Sequence, residues 1–176
     1  MISIFDTSQL LELFGELSEE LKIRSEHAEL FVVGGAAMAL KYDAMRTTRD
    51  IDSVFEPTKT VREAAAVVAR RHGLSEDWLN DGAKGFMPAD PDTSQIVFET
   101  EWLRVAVASP EYLLAMKLFS ARPERDIEDA VTLWKLAGYT APEQGMELLE
   151  RSYPARLLEP KHAYTVDAVA DLASQS

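Results

Sequence analysis

The sequence predicts a mixed α/β (α+β) fold: a small mixed sheet followed by a helical C-terminal half. Two observations predict it. The short apolar runs that read as strands all lie before residue 109, interleaved with segments of helical period. From Ser109 onward every segment is helical, opened by Pro110, Pro123, Pro142 or Thr165. The expected division is a sheet-bearing core over 1–108 and a helical region over 109–176 that completes its cleft.

The elements follow in order. Leu10, Phe14, Leu17 and Leu21 share one face of a helix over about 8–24. The apolar run Leu30-Phe31-Val32-Val33 is a strand that enters Gly34-Gly35, and Ala36 to Tyr42 is a short helix of good formers. Asp50 to Phe55 is a second strand, stopped by Pro57. Thr60-Val61-Arg62-Glu63 has the pattern of a capping box opening a helix to about Arg71. Residues 80–93 hold two Gly, two Pro and four Asp or Asn, and read as a mobile loop. Strands near 95–100 and 103–108 form a hairpin. Ser109-Pro110-Glu111 then starts a helix with a cap, a proline in the first turn and an acid at the positive dipole end. Further helices run from Pro123 to Ala137, closed by Gly138, from a cap at Thr140–Glu143, and from a cap at Thr165.

Composition narrows the function. The 176 residues are 47% hydrophobic and 27% charged, values of an ordinary globular chain rather than a disordered one. Cysteine is absent, which removes disulfides, thiolate metal sites and cysteine nucleophiles and fits a reducing cytoplasm. No apolar run approaches the roughly 20 residues of a bilayer span, and Met1 to Asp6 lacks the charged start of a secretory signal. With 18 Lys+Arg against 30 Asp+Glu the net charge is −12, so the surface should not coat nucleic acid without sequence preference. Cations gathered around one cleft would still allow local contact with RNA or phosphate.

The chemistry-bearing pattern is Gly34-Gly35 followed, fifteen residues on from Gly35, by Asp50-Ile51-Asp52. Alternation in a strand puts Asp50 and Asp52 on one face, about 7 Å apart along the backbone. Two such carboxylates repel unless a divalent cation neutralises them, and hard oxygen donors suit Mg²⁺ or Mn²⁺. The glycines let backbone N–H groups approach an anion closely. Phosphate cradle plus carboxylate-held metal equips a site for nucleotidyl or phosphoryl transfer. Acid-x-acid spacing recurs at Asp90/Asp92, Glu99/Glu101 and Asp126/Glu128, so spacing alone decides nothing. Asp50 and Asp52 differ by sitting inside an apolar strand, where lone carboxylates are costly. His27, His72 and His162 stand apart in sequence and read as packing or surface residues. No Gly-x-Ser-x-Gly, His-Glu-x-x-His or Walker loop occurs.

Gly34-Gly35-Ala-Ala-Met-Ala-Leu followed by Arg46-Thr-Thr48-Arg-Asp50-Ile-Asp52 resembles the signature of the DNA polymerase beta-like nucleotidyltransferase superfamily. It is closest in look to the AbiEii-like and MenT-like toxins of bacterial toxin–antitoxin systems. A second block, Ser109-Pro-Glu-Tyr-Leu-Leu-Ala-Met-Lys117 through Arg122 and Arg125-Asp126-Ile-Glu-Asp129, is similar too. The resemblance implies that Asp50 and Asp52 hold catalytic Mg²⁺ or Mn²⁺ and that Gly34 and Gly35 cradle the phosphates of an NTP. It implies that Lys117 contacts a phosphate, that Asp129 orients Lys117 or meets the nucleotide, and that Arg46, Thr48 and Asp126 serve nucleotide binding. A third metal carboxylate is usual on a neighbouring strand; Glu99 is the candidate, with Glu101 the alternative.

The implied reaction moves a nucleoside monophosphate from NTP to an RNA acceptor, a tRNA 3′ end, in a toxin held by a cognate antitoxin. Lys41, Arg46, Arg49, Lys84, Lys117, Arg122 and Arg125 would guide the RNA. Transfer to a small molecule or a protein, and a catalytically silent binding module, stay open. Gly-Ser, common in the superfamily, is replaced by Gly34-Gly35, which removes a hydroxyl. The second block has its own structural reading, since Arg122/Asp126 and Arg125/Asp129 are i, i+4 pairs of the kind that form solvated ion pairs.

Overall fold

The computed structural model describes residues 4–89 and 92–176, apart from the side chains of Pro123 and Arg125. The expected α+β architecture is present as a five-stranded mixed sheet with seven helices among the described residues. These residues fall into two compact units. One holds the chain up to Gly85 together with Ser94–Ala108; the other holds Phe86–Thr93 together with Ser109–Ser176.

In the first unit, helix α1 spans Thr7–Arg24. Asp6 starts it with a reciprocal capping box: the Gln9 N–H donates to the Asp6 carboxylate at 2.9 Å, and the Asp6 N–H donates to the Gln9 side chain at 3.0 Å. Strand β1 covers Ala28–Val32, and α2 covers Gly34–Ala37. The expected short helix after the glycines continues from Met38 to Tyr42 as a widened π-type turn, closed by the Asp43 N–H on Met38 O. Thr7 donates to Ala39 O and Tyr42 to Ala108 O, which fixes both ends of this turn. Strand β2 is Ile51–Glu56, α3 is Thr58–His72, and β4 and β5 are Gln95–Glu99 and Leu103–Val107.

Two expectations fail in this unit. The helix begins at Thr58, directly after Pro57, so Thr60 lies inside its first turn and caps nothing. The stretch read as loop contains β3, Leu79–Asn80, paired parallel to β2, and a 3-10 turn over Gly82–Phe86. A two-residue strand has no periodicity to read, and its turn-rich neighbours hid it.

The sheet order is β3-β2-β1-β5-β4. β1 runs antiparallel to β2 and parallel to β5, and β4 returns antiparallel on β5. Alternation sorts the side chains. Leu30, Val32, Ile51, Phe55, Leu103, Val105 and Val107 are buried, and α1 packs on α3 and β5 while α3 packs on β2. Phe14, Leu17, Leu21, Val61 and Val68 complete this core. Each such large apolar side chain stabilises the fold by about 1.5–3 kcal/mol relative to exposure. The opposite face carries the half-exposed Phe31, Asp52, Val54 and Ala106. One strand thus buries Ile51, Ser53 and Phe55 and leaves Asp52 on the open side.

The second unit is helical. Helices α4, α5, α6 and α7 cover Pro110–Ser120, Pro123–Leu136, Pro142–Ser152 and Pro160–Gln175. Ser109 caps α4 as expected, accepting the Tyr112 N–H at 3.1 Å. Leu114, Leu118, Leu133, Trp134, Leu149, Val166 and Val169 fill the core. Gly145 is required there: a Cβ at this position would lie 2.6 Å from the Trp134 ring and 2.9 Å from Val166. Thr165 caps no helix; it sits in the second turn of α7 and donates back to Lys161 O. The start of α7 is held by His162, whose Nδ1 accepts the Glu159 N–H at 2.8 Å. His162 is 2% exposed and stacks on Phe119, which fits the packing role read for it.

Candidate active site

The first block of expected site residues converges within the first unit. Gly34 lies in the left-handed region at φ 65°, where side chains are disfavoured. A Cβ there would stand 2.9 Å from Asp52 Oδ2, so the backbone and the carboxylate are in close approach. The Val33 N–H donates to Asp52 O at 2.9 Å, which ties the end of β1 to the start of β2. Thr48 reaches both partners of the motif: its hydroxyl donates to Asp50 O at 2.9 Å and lies 3.1 Å from where a Gly35 Cβ would be. Main-chain bonds to Phe5 in both directions hold Thr48 in place. Arg46 is half-buried on the same connecting segment, its N–H donating to Asp43 O.

Asp50 and Asp52 are both half-buried, but the expected strand over Asp50–Phe55 begins only at Ile51, so Asp52 lies in β2 while Asp50 sits in the bend just before it. Burial pushes the Asp50 carboxyl above the ordinary carboxylate range; the Asn80 hydrogen bond opposes this and the Asp77 charge adds to it. Among the described residues no Lys or Arg lies within ion-pair distance of Asp50. The first N–H groups of α2, from Gly34 onward, have no intrahelical acceptor by the geometry of any helix start. Carboxylate oxygens beside such amides form a hard-donor, anion-tolerant corner.

Glu99 does not belong to this group. β1 and β5 lie between β4 and β2, which at strand spacing is about 14 Å. The register adds distance along the strands, because Glu99 is opposite Arg104, and Arg104 is level with Glu29. Asp52 lies beyond Ser53, which faces Val32 at the other end of the sheet. Glu99 is instead paired with Arg104 at 2.9 Å. The alternative, Glu101, follows at the same far end, where its carbonyl meets His27 Nδ1. The residue that faces Asp52 on the neighbouring strand β3 is Asn80, which sequence reasoning passed over because it is neutral. Among the described residues no three acidic or histidine side chains converge as a metal cluster.

The second block lies in the second unit. Lys117 Nζ sits 2.7 Å from Asp126 and 3.0 Å from Asp129, with side-chain exposures of 12%, 9% and 6%. Arg122 and Ser120 also contact Asp126, at 3.1 and 3.3 Å. For Asp126, burial pushes the carboxyl up, but the Lys117 hydrogen bond and the Lys117 and Arg122 charges outweigh it and hold the carboxyl below its ordinary range. The Arg122/Asp126 pair read from the i, i+4 spacing forms with an exposed Arg122, and the same Asp126 also belongs to a buried cluster with Lys117 and Asp129. Of the cations expected to guide RNA, Lys41 and Arg49 are exposed, Lys84 is paired with Asp81, and Lys117 is enclosed. The Arg125 side chain, expected to pair with Asp129, lies outside the described residues, as does Asp90 of the Asp90/Asp92 pair.

Residues 8–134 match the family model described as nucleotidyltransferase of unknown function (DUF6036). No curated protein and no solved structure matches the chain. Among the described residues no helix is long and apolar enough to cross a membrane. With most of its length inside that match, the chain belongs to the DUF6036 nucleotidyltransferase family.

Proposed function

We propose that this nucleotidyltransferase uses the Gly34-Gly35 turn and the Asp50/Asp52 pair to bind an NTP through a divalent cation and transfers its NMP to an acceptor hydroxyl, releasing pyrophosphate. The close approach of Gly34 to Asp52 Oδ2 carries this reading. It leaves a cradle that any side chain would fill, beside the half-buried carboxylates of Asp50 and Asp52. The donor set suits Mg²⁺ or Mn²⁺, since it is all oxygen. When bound, the cation supplies charge neutralisation of the triphosphate.

The remaining work falls to the chain. Asp50 and Asp52 would hold the cation against the phosphates, Thr48 fixes the backbone of Asp50, and the amides of Gly34 and Gly35 would donate to phosphate oxygen. The resemblance gives Lys117 a phosphate contact. Within its own unit Lys117 is held by Asp126 and Asp129. By the same resemblance the acceptor is RNA, a tRNA 3′ end, and the protein is a toxin with a cognate antitoxin. The net charge of −12 favours a second reading, a small hydroxylated acceptor.

Incubation with each labelled NTP, Mg²⁺ and either total RNA or a panel of small hydroxylated compounds tests both. Label is expected in RNA with one preferred NTP and not with Asp52→Asn. Label in no acceptor under any NTP overturns the activity, and label confined to small molecules overturns the RNA acceptor.

A further inference from the structure

The segment around β3 offers Asp50 two polar neighbours, Asp77 and Asn80, while Asp81 follows in the chain. Asp81 is engaged elsewhere, with Arg62 and Lys84 each 3.0 Å away. Asp77 is exposed and acts on Asp50 only through its charge. Asn80 alone turns its side chain to the pair: it faces Asp52 in the β2–β3 register, and its Nδ2 lies 3.5 Å from Asp50 Oδ2.

The amide orientation is fixed by its other partners. Asn80 Oδ1 accepts the Gly82 N–H at 3.0 Å, and a flipped amide would set two donors against each other. Nδ2 therefore points to Asp50 and also donates to Asp77 O at 3.3 Å. A Cβ on Gly82 would crowd Asn80 Oδ1 at 3.1 Å, so the glycine also keeps this turn close to the amide.

We propose that Asn80 is a positioning residue for Asp50 that restrains its carboxylate for a divalent cation. The inference rests on the metal-binding reading of Asp50 and Asp52. An acid at position 80 would bring a further negative charge, aimed at Asp50 across the distance now spanned by an N–H donor, and would strengthen cation binding. A neutral amide instead restrains Asp50 without adding to the charge.

Mn²⁺ titration by calorimetry and electron paramagnetic resonance, with a thermal melt of each metal-free preparation, tests this without any turnover. The parent chain is expected to bind one Mn²⁺, which Asp52→Asn loses. Asn80→Ala should keep that stoichiometry and a parent-like melt while its Kd weakens about tenfold, as loss of an outer hydrogen bond to a ligand does. Asn80→Ser serves the same purpose if the alanine variant does not fold. Asn80→Asp should melt below the parent without metal and bind Mn²⁺ about tenfold tighter. An unchanged Kd in Asn80→Ala or its serine substitute, or an unchanged Kd in Asn80→Asp, overturns the inference while the metal reading stands. Absence of Mn²⁺ binding in the parent and in Asn80→Asp overturns both.

Discussion

Two acid pairs of similar spacing meet opposite fates in this molecule. Asp126 and Asp129, three apart on α5, enclose Lys117, and Arg122 adds a second cation to Asp126. Asp50 and Asp52, two apart at the start of β2, sit at the edge of a half-open sheet face, and the described partner of the Asp50 side chain is a neutral amide. The pKa shifts of Asp50 and Asp126 run in opposite directions for this reason. Compensation by cations outweighs burial at Asp126, whereas burial wins at Asp50. A carboxylate whose charge the fold already balances stabilises the fold; one whose charge is left costly is a place for a ligand to act.

The largest way to break this comparison is at Asp52. Asp52→Asn keeps size and shape but removes a charge from the proposed cation site. Transfer is expected to fall by on the order of 10³-fold or more, since several kcal/mol of charge stabilisation is lost at about 1.4 kcal/mol per tenfold. Stability should stay level, because the amide keeps the size of the carboxylate and one oxygen acceptor. Initial rates and urea melts on the same preparation decide it; a large loss of stability would place Asp52 with the structural pair.

Lys117 sharpens the other side. Removing one partner of a buried ion pair leaves the rest uncompensated, so Lys117→Met should destabilise the fold by about 3 kcal/mol. The triple change Lys117→Met, Asp126→Asn, Asp129→Asn should recover much of that loss in a denaturant melt, because no lone charge remains. The cluster also sets an acid limit. Asp126 has a depressed folded pKa, so its stabilisation is complete above the ordinary aspartate value of about 3.9 and is lost as pH falls below it through the folded value. Asp126→Asn should flatten the stability-versus-pH curve in that window.

Much of this contrast was legible in the residues, and the part that was not has a physical cause. The apolar run around Asp52 marked β2, though alternation did not show that Asp50 stops short of the strand, and Gly34-Gly35 marked a place of close backbone approach. Helical spacing likewise put Asp126 and Asp129 together, but their burial depends on packing that spacing does not encode. Glu99 was misplaced because local sequence carries no strand order: the chain returns β5 to β1 and sends β4 to the edge. Asn80 escaped because a search for acids does not see an amide. The Thr60 and Thr165 caps failed because Pro57 and His162 supplied other starts, and cap patterns recur by chance in a chain rich in Thr and Glu.

A smaller effect is expected at Gly34. Gly34→Ala forces a side chain into the left-handed region, at a cost of about 1–2 kcal/mol, and sets its Cβ against Asp52 Oδ2. Stability should drop by that amount and Mn²⁺ affinity should fall with it. The control is Gly73→Ala, also at positive φ but with open space around its Cβ position. It should lose similar stability and no Mn²⁺ affinity. Equal Mn²⁺ binding in both variants would show the glycine to be a turn residue only.

The smallest effect tests the electrostatic half of the comparison directly. Burial raises the folded pKa of Asp50 above its unfolded value, so its ionised form disfavours the native state. That penalty is fully present above the folded pKa and vanishes as pH falls through the unfolded value near 3.9. Asp50→Asn removes it and keeps a hydrogen-bonding group opposite Asn80. The variant should therefore be more stable than the parent at pH 7 by less than about 1 kcal/mol, with the difference closing toward pH 4. This is the reverse of the Asp126→Asn curve. Adding Mn²⁺ should erase the advantage by stabilising the parent alone. Denaturant melts from pH 4 to pH 7, with and without Mn²⁺, read all three trends. An Asp50→Asn variant less stable than the parent at pH 7 would mean that the fold, not a ligand, balances Asp50, and the two acid pairs would then belong to one class.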